Sequence, residues 1–318
     1  MALERSGGGR PAVRRLLHGM RSRVDDLSVR QTLLRQAMNE VRPVAVIDAN
    51  LLRDKLVVRE KQARYRSHGE QIVIADAVWN ESVANDNWQS TVRASFRHLA
   101  DDPEALVASW AVVAMISAEL KSGVPAVGVV HHPMTAFLRQ LVVDLAREVP
   151  DTMGRLRRAI EEHGVNDKHS MAVQRKEAME RLVELTKQNI PRERFTSATN
   201  AMRCADRGPF LDLIVESFRP SMVSDALVRQ GVAAEVAESL TSRPSVTVMQ
   251  NLYVTHMALE WTASHGVTNA KLGRVHNDYV DGEYGLVAWA CGGEYVTADN
   301  RARRRFEEVR DLCERIWT

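Results

Sequence analysis

Short apolar runs that end at a carboxylate mark the two ends of the chain, and helical periodicity fills the stretch between them. Pro43-Val44-Ala45-Val46-Ile47 leads into Asp48, and Ile72-Val73-Ile74-Ala75 leads into Asp76. Near-continuous apolar runs of this length suit strands buried on both faces. Leu51 to Arg66, charged and free of Gly and Pro, predicts a helix between them, so the order is strand, helix, strand and the sheet is expected to be parallel. From about residue 90 to about 270 the pattern predicts helices and no strand: Pro103 to Lys121, Thr135 to Arg147, Thr152 to His163, Lys168 to Gln188, Phe210 to Phe218, Met222 to Arg229, Ala233 to Leu240 and Val246 to His265. Alternation resumes with a helix over Asp281 to Cys291 that Gly292 and Gly293 stop, a strand over Glu294 to Asp299, and a closing helix over Arg301 to Ile316. Pro11 to Glu40 also reads as helical.

The expected fold class is therefore α/β, a small parallel sheet flanked by helices, with a large all-helical insertion and N-terminal helices. The expected segments are a basic N-terminal helical stretch (1–42), the first part of the α/β core (43–95), the helical insertion (96–271) and the second part of the core (272–318). With 318 residues, 45% hydrophobic and 26% charged, the chain can bury a substantial core.

Charge adds a local feature. The first 42 residues hold nine arginines against four acids, whereas the whole chain carries only +2. Arg10, Arg14, Arg15, Arg21 and Arg23 form a patch that suits nucleic acid or an acidic partner. Cys204, Cys291 and Cys313 are widely spaced and make no zinc-type pair, which suits a reducing compartment. No apolar stretch approaches the roughly 20 residues of a membrane span, and the start lacks the apolar centre of a secretion signal. A soluble cytoplasmic protein without membrane partners is expected.

Asp48, Glu81, Asp281 and Asp299 carry the candidate chemistry. In an open parallel sheet, carboxylates at strand carboxyl ends and on adjoining first helical turns meet in one crevice. Gathered there they repel one another unless a cation joins them, and hard oxygen ligands favour Mg²⁺ or Mn²⁺. Asp76 is the alternative to Glu81, and Asp278 the alternative to Asp281. Each acid also has a structural reading: Asp48 and Asp281 as helix caps, Asp299 with Asn300 as a turn, Glu81 as a solvated helical residue.

At Ile47-Asp48-Ala49-Asn50, Glu81, Asp281 and Val296-Thr297-Ala298-Asp299 the chain resembles the PIN-domain nucleases. The resemblance covers about residues 43 to 95 and 272 to 318, and the roughly 200 residues between Glu81 and Asp281 depart from the compact members of that family. It implies a metal-dependent nuclease in which the four acids hold one or two Mg²⁺ or Mn²⁺ ions and water cleaves a phosphodiester, as an endoribonuclease serving as a toxin, stress or defence effector. Asn50 and Thr297 are implied as hydrogen-bonding supports of the carboxylates. Partners implied are RNA ahead of DNA, an inhibitor protein and a second copy of the chain.

Arg301, Arg303, Arg304 and Arg305 follow Asp299 directly and are candidates for substrate phosphates; the competing reading is a solvated helix face paired with Glu307, Glu308 and Asp311. His131-His132 is read as structural, because neighbouring side chains in extended backbone point apart, and His163 and His169 have no ligand spacing. Trp110, Met115, Met134, Phe137, Leu141, Met249, Met257 and Trp261 are read as packing residues. The rival function is a non-catalytic helical scaffold or regulatory protein with a degenerate PIN-like core.

Overall fold

The computed structural model describes residues 44–82, 87–126, 129–162, 168–203, 207–264 and 266–317. The basic N-terminal segment and its arginines lie outside the described residues, as do Cys204 and His163. Val44–Ile47 (β1), Gln71–Ile74 (β2), Leu106–Ala108 (β3) and Glu294–Val296 (β4) form one all-parallel sheet in the order β3-β2-β1-β4. The residues of β1, β2 and β3 are almost wholly buried, as strands covered by helices on both faces must be, whereas the edge strand β4 buries only Tyr295. Register pairs Val46 with Val73 on one side and with Tyr295 on the other.

The chain runs outward from β1 to β2 and β3, then returns to β1's free side as β4. The strand order therefore reverses between β1 and β4. Lys55–His68 (α1) connects β1 to β2; Asp54 caps it through the amides of Leu56 and Val57, and Gly69, at φ 73°, ends it. Ala77–Ser82 (α2) and Trp88–Phe96 (α3) lie between β2 and β3.

Pro103 to Lys121 is not a single helix: Pro103–Ala105 is a short 3-10 turn, Leu106–Ala108 is β3, and the helix is Val112–Ser122 (α4). The insertion is thus not all helical, since it contributes the strand that completes one side of the sheet. Leu106, Val107 and Ala108 are too few to show a period, and Pro103 read as a helix start.

The remaining helices are His132–Ala146 (α5), Thr152–Glu162 (α6), Lys168–Asn189 (α7), Arg192–Arg203 (α8), Gly208–Ser217 (α9), Pro220–Arg229 (α10), Ala234–Thr241 (α11), Val246–Ala263 (α12), Leu272–Ala290 (α13) and Asn300–Trp317 (α14). Helix α12 is buried nearly all round, and α13 and α14 pack against it and against β4. His131 caps α5 by accepting from Met134 N at 3.1 Å and lies against Trp110, with ring centroids 3.9 Å apart. Among the described residues no helix is long and apolar enough to cross a membrane.

Gly292 and Gly293 end α13, as the sequence predicts. Gly292 takes φ 62°, and a Cβ on Gly293 would lie 2.3 Å from a methyl carbon of Val44, so only glycine lets β4 start against β1. The first turn of α12 is fixed from a distance by Glu119 of α4. Its buried carboxylate accepts from the amides of Ala126 (2.7 Å), Val246 (2.8 Å) and Thr247 (2.7 Å) and from the Thr247 hydroxyl (2.6 Å). A negative group on free N–H donors at a helix start is doubly favourable.

Glu119→Ala leaves those buried donors without an acceptor and is expected to lower unfolding free energy by about 3 kcal/mol. Urea denaturation of parent and variant measures it; a loss below about 1 kcal/mol would mean that water replaces the carboxylate.

Candidate active site at the carboxyl end of the sheet

Asp48 follows β1 directly, on the carboxyl end of the sheet beside β4. Its amide extends the β1–β4 ladder by donating to the Val296 carbonyl at 3.0 Å. Its side chain is nearly buried: Oδ1 accepts from the Asn50 amide at 2.7 Å, and Oδ2 accepts from the Thr297 hydroxyl at 2.9 Å. Thr297 follows β4 and in turn accepts from the Asp299 amide at 3.0 Å. A single hydroxyl thus ties the segments after β1 and β4 together. Asn50 contributes its backbone here, while its side chain is exposed.

Asp299 is the N-terminal cap of α14, with Oδ1 accepting from the amides of Arg301 (2.7 Å) and Ala302 (3.1 Å). Asp299 therefore has a structural task, but as a helix cap and not as the turn expected with Asn300, which is already helical. Glu81, on α2 and partly buried, accepts from the buried Tyr284 hydroxyl at 2.5 Å. Asp76 follows β2; its amide hydrogen-bonds the Ser109 hydroxyl at 3.3 Å.

Asp281 does not open a helix. Helix α13 begins at Leu272, nine residues earlier, so Asp281 sits mid-helix with Asp278 one turn before it and Tyr284 one turn after. Asn277, Asp278 and Gly282 carry turn chemistry, and packing of this helix against α12, β1 and β4 overrides it. The Asp281 carboxyl is raised to about 7, first by burial and then by the charges of Asp299, Asp48 and Asp278, with Arg305 opposing. Asp48, Asp281 and Asp299 therefore act on one another at the β1–β4 end of the sheet. Among the described residues no three acidic, histidine or cysteine side chains are arranged to hold a metal ion by themselves.

Asp278 is committed elsewhere. Its Oδ2 accepts from the Trp261 indole at 2.9 Å and faces Arg301 at 3.4 Å, and its Oδ1 faces Arg305 at 3.4 Å.

Arg305 is fully buried and cannot meet a substrate phosphate, which corrects the reading of the arginine run as one exposed surface. It donates to Glu260 of α12 at 2.7 Å and 3.2 Å as well as facing Asp278. Arg301 is partly buried against Glu260, Asp278 and the Trp261 ring. Arg303 donates to the Thr297 carbonyl, and Arg304 lies 3.9 Å from Glu260. Arg303 and Arg304 are the two that remain exposed. Their partners differ from those expected along the same helix, since Glu308 is engaged by Arg207 and His256.

Glu260, Tyr284 and the Arg175–Glu283 pair were not read from the sequence, and Trp261 was read as packing alone, without its bond to Asp278. Two signals were present. His256 and Glu260 are ionisable residues one turn apart on a mostly apolar helix, and such residues are buried only when partnered. Tyr284 lies three residues beyond Asp281, on the same helical face. No family model, no curated protein and no solved structure matches this chain. Fold and site together define a four-stranded parallel α/β protein, rich in helix, with carboxylates gathered where its strand order reverses.

Burial opposes ionisation of Glu260, but Arg305, His256 and Arg301 outweigh it and hold the carboxyl at about 2, below its ordinary 4.5. The folded value is the lower one, so this group's stabilisation is complete above pH 4.5 and is lost as pH falls towards 2. Parent and Glu260→Gln are expected to differ by about 3 kcal/mol at pH 6 and to converge as pH approaches 2. Urea melts across that range test this; a difference independent of pH would show that the guanidinium–carboxylate pairing is not its source.

Proposed function

We propose that the protein is a metal-dependent, PIN-like endoribonuclease using Asp48, Glu81, Asp281 and Asp299. The observation that carries this reading is the position of Asp48, Thr297 and Asp299 after β1 and β4, the neighbouring strands between which the strand order reverses, with Asp281 brought to the same charges. Ligands of open parallel sheets bind in the crevice outside the carboxyl ends of such strands. The sheet order and the four acids are compatible with the PIN resemblance, which supplies the choice of RNA.

The donor set fits a hard divalent cation. All four are carboxylates, and beside the burial that chiefly lifts Asp281, the charges of Asp299, Asp48 and Asp278 near it are of the kind a cation relieves. A bound Mg²⁺ or Mn²⁺ supplies water activation and neutralises charge on the phosphate. The chain's own contributions are positional. The Asn50 amide and the Thr297 hydroxyl fix Asp48, the Tyr284 hydroxyl fixes Glu81, and the α14 amides fix Asp299. The exposure of Arg303 and Arg304 on the first turns of α14 supports a role for them in meeting the backbone of a bound strand.

A second reading, a non-catalytic scaffold, is favoured by the capping role of Asp299 and by the lack of three metal-ready ligands among the described residues. The two readings part in one assay. Purified protein with Mn²⁺ is expected to cleave RNA, to stop with EDTA, and to lose at least about a hundredfold in rate as Asp48→Asn while unfolding at an unchanged or higher urea concentration. Equal rates in parent and variant would remove Asp48 from the chemistry; no metal-dependent cleavage of RNA or DNA by the parent would leave the scaffold.

Arg303→Ala with Arg304→Ala is expected to weaken RNA binding and to reduce its salt slope by about one to two counterions. An identical slope in parent and double variant would assign both arginines to a solvated helix face.

A further inference from the structure

Glu260 is surrounded by more positive charge than it can balance. Four guanidiniums face its carboxylate: Arg305 at 2.7 Å, Arg301 at 3.4 Å, Arg207 at 3.7 Å and Arg304 at 3.9 Å. The other acids that these arginines reach are Asp278, 3.4 Å from both Arg301 and Arg305, and Glu308, which accepts from Arg207 at 2.8 Å. Four arginines thus share three carboxylates, and His256 engages Glu308 as well, at 2.7 Å. A fifth guanidinium, that of Arg274 on α13, lies 5.1 Å from the centre of the Trp261 ring, and Arg301 lies 5.5 Å from the same centre. Arg274 is exposed and has no ion pair among the described residues.

The buried members of this group, Arg305 and Arg207, are matched by Glu260, Asp278 and Glu308. The excess therefore falls on the members that solvent reaches: Arg301, whose side chain is 26% exposed, Arg304, at 48%, and Arg274. Stability does not account for their positions. Arg274 stands on the first turn of α13, Arg301 on the first turn of α14 and Arg304 just beyond it, where a helix dipole disfavours cations. Neighbouring guanidiniums also repel one another, and an anion between them removes that repulsion.

We infer that Arg274, Arg301 and Arg304 form a shelf that holds the phosphate backbone of an RNA strand beside the acids, with Arg274 as its outer member. The choice of RNA rests on the nuclease reading above. Position links the shelf to the acids: Arg274, Asp278 and Asp281 follow one another at spacings of four and three residues, on one face of α13. Arg274 therefore lies about 10 Å along the helix axis from Asp281, and Arg301 follows Asp299 by two residues. A chain lying across the surface fits these cations better than an enclosed small ligand does, because Arg274 and Arg304 are open to solvent. Guanidinium forks match phosphate oxygens in pairs.

The test measures binding of a fluorescently labelled uridine oligonucleotide to the full chain in EDTA, where metal-dependent cleavage is stopped, over a range of KCl concentrations. Arg274→Ala is expected to bind about tenfold more weakly at low salt and to lose about one counterion from the salt slope. Arg274→Lys is expected to keep the slope but recover only part of the affinity, since lysine supplies the charge without the fork. A role limited to packing on Trp261 would leave the slope unchanged in both variants, and their urea unfolding midpoints check that each still folds. An unchanged slope in Arg274→Ala, or a parent that binds no RNA in EDTA, would overturn the shelf and leave the four acids to their own cleavage assay. So would poly-glutamate displacing the RNA as readily as an RNA competitor of equal charge. Weakened binding by Arg274→Ala, from a parent that cleaves no RNA, would keep the shelf and remove the nuclease.

Discussion

Arg305 is the charge on which the arrangement around the site depends. It is the largest fully buried side chain among the described residues, with two carboxylates from two other helices around it: Glu260 of α12 and Asp278 of α13. Removing a guanidinium from water costs several kcal/mol, repaid only when good geometry and further hydrogen bonds surround the ion. Here Trp261 holds Asp278, and Arg301 completes the group from one turn earlier on α14. Loss of either partner strands a buried charge, so α12, α13 and α14 are held in one relative position more strictly than apolar packing alone demands. Apolar contacts tolerate sliding; a fork of donors facing two carboxylates does not.

That constraint reaches the candidate chemistry through α13. Asp278 and Asp281 are one turn apart, so fixing the first against Arg305 orients the second towards the segments after β1 and β4. The same guanidinium moderates the burial and repulsion that raise Asp281 to about 7. The site thus has a buried cationic side, already neutralised by Glu260 and Asp278, and an anionic side of Asp48, Asp281 and Asp299 with which, among the described residues, no arginine forms an ion pair. A buried positive charge near Asp281 limits how far burial and its acidic neighbours push that carboxyl up.

The parallel sheet and most helices were legible because their signals are local. The apolar runs into Asp48 and Asp76, the Gly292–Gly293 stop and the long periodic stretches at Lys168–Asn189 and Val246–Ala263 need no tertiary knowledge. β3 was hidden, since three apolar residues behind a proline carry no distinguishable period. The start of α13 was hidden for the opposite reason: Asn277, Asp278 and Gly282 announce a turn that burial overrules. Among the site residues, the carboxylates at strand ends could be read from position alone. The separation of Arg305 from Arg303 and Arg304 could not, because identical side chains two residues apart differ only in which face of α14 is covered. The charged partners that decide this, Glu260 and Asp278, come from helices that the sequence presents as apolar packing.

The long helical stretch therefore is not an appendage to a small α/β core. It supplies β3 to the sheet, and its helix α12 supplies Glu260 to Arg305 and Tyr253 to the backbone of α13 beside Asp281. Helix α12 is itself seated by Glu119, whose four hydrogen bonds link α4 and the Ala126 segment after it to the first turn of α12. A path of buried polar contacts runs from α4 through α12 to Arg305 and α13, and so to the acids. Each link is a charged group whose misplacement leaves donors or carboxylates unmet in a dry interior, where the penalty is largest. Cutting the chain back to the two segments that carry the four acids would remove Glu260, and Arg305 would then be a buried cation facing Asp278 alone. The direct contacts of the acids, from Asn50, Thr297 and Tyr284, lie within those two segments, but the burial of Arg305 beside Asp278 depends on Glu260 from outside them.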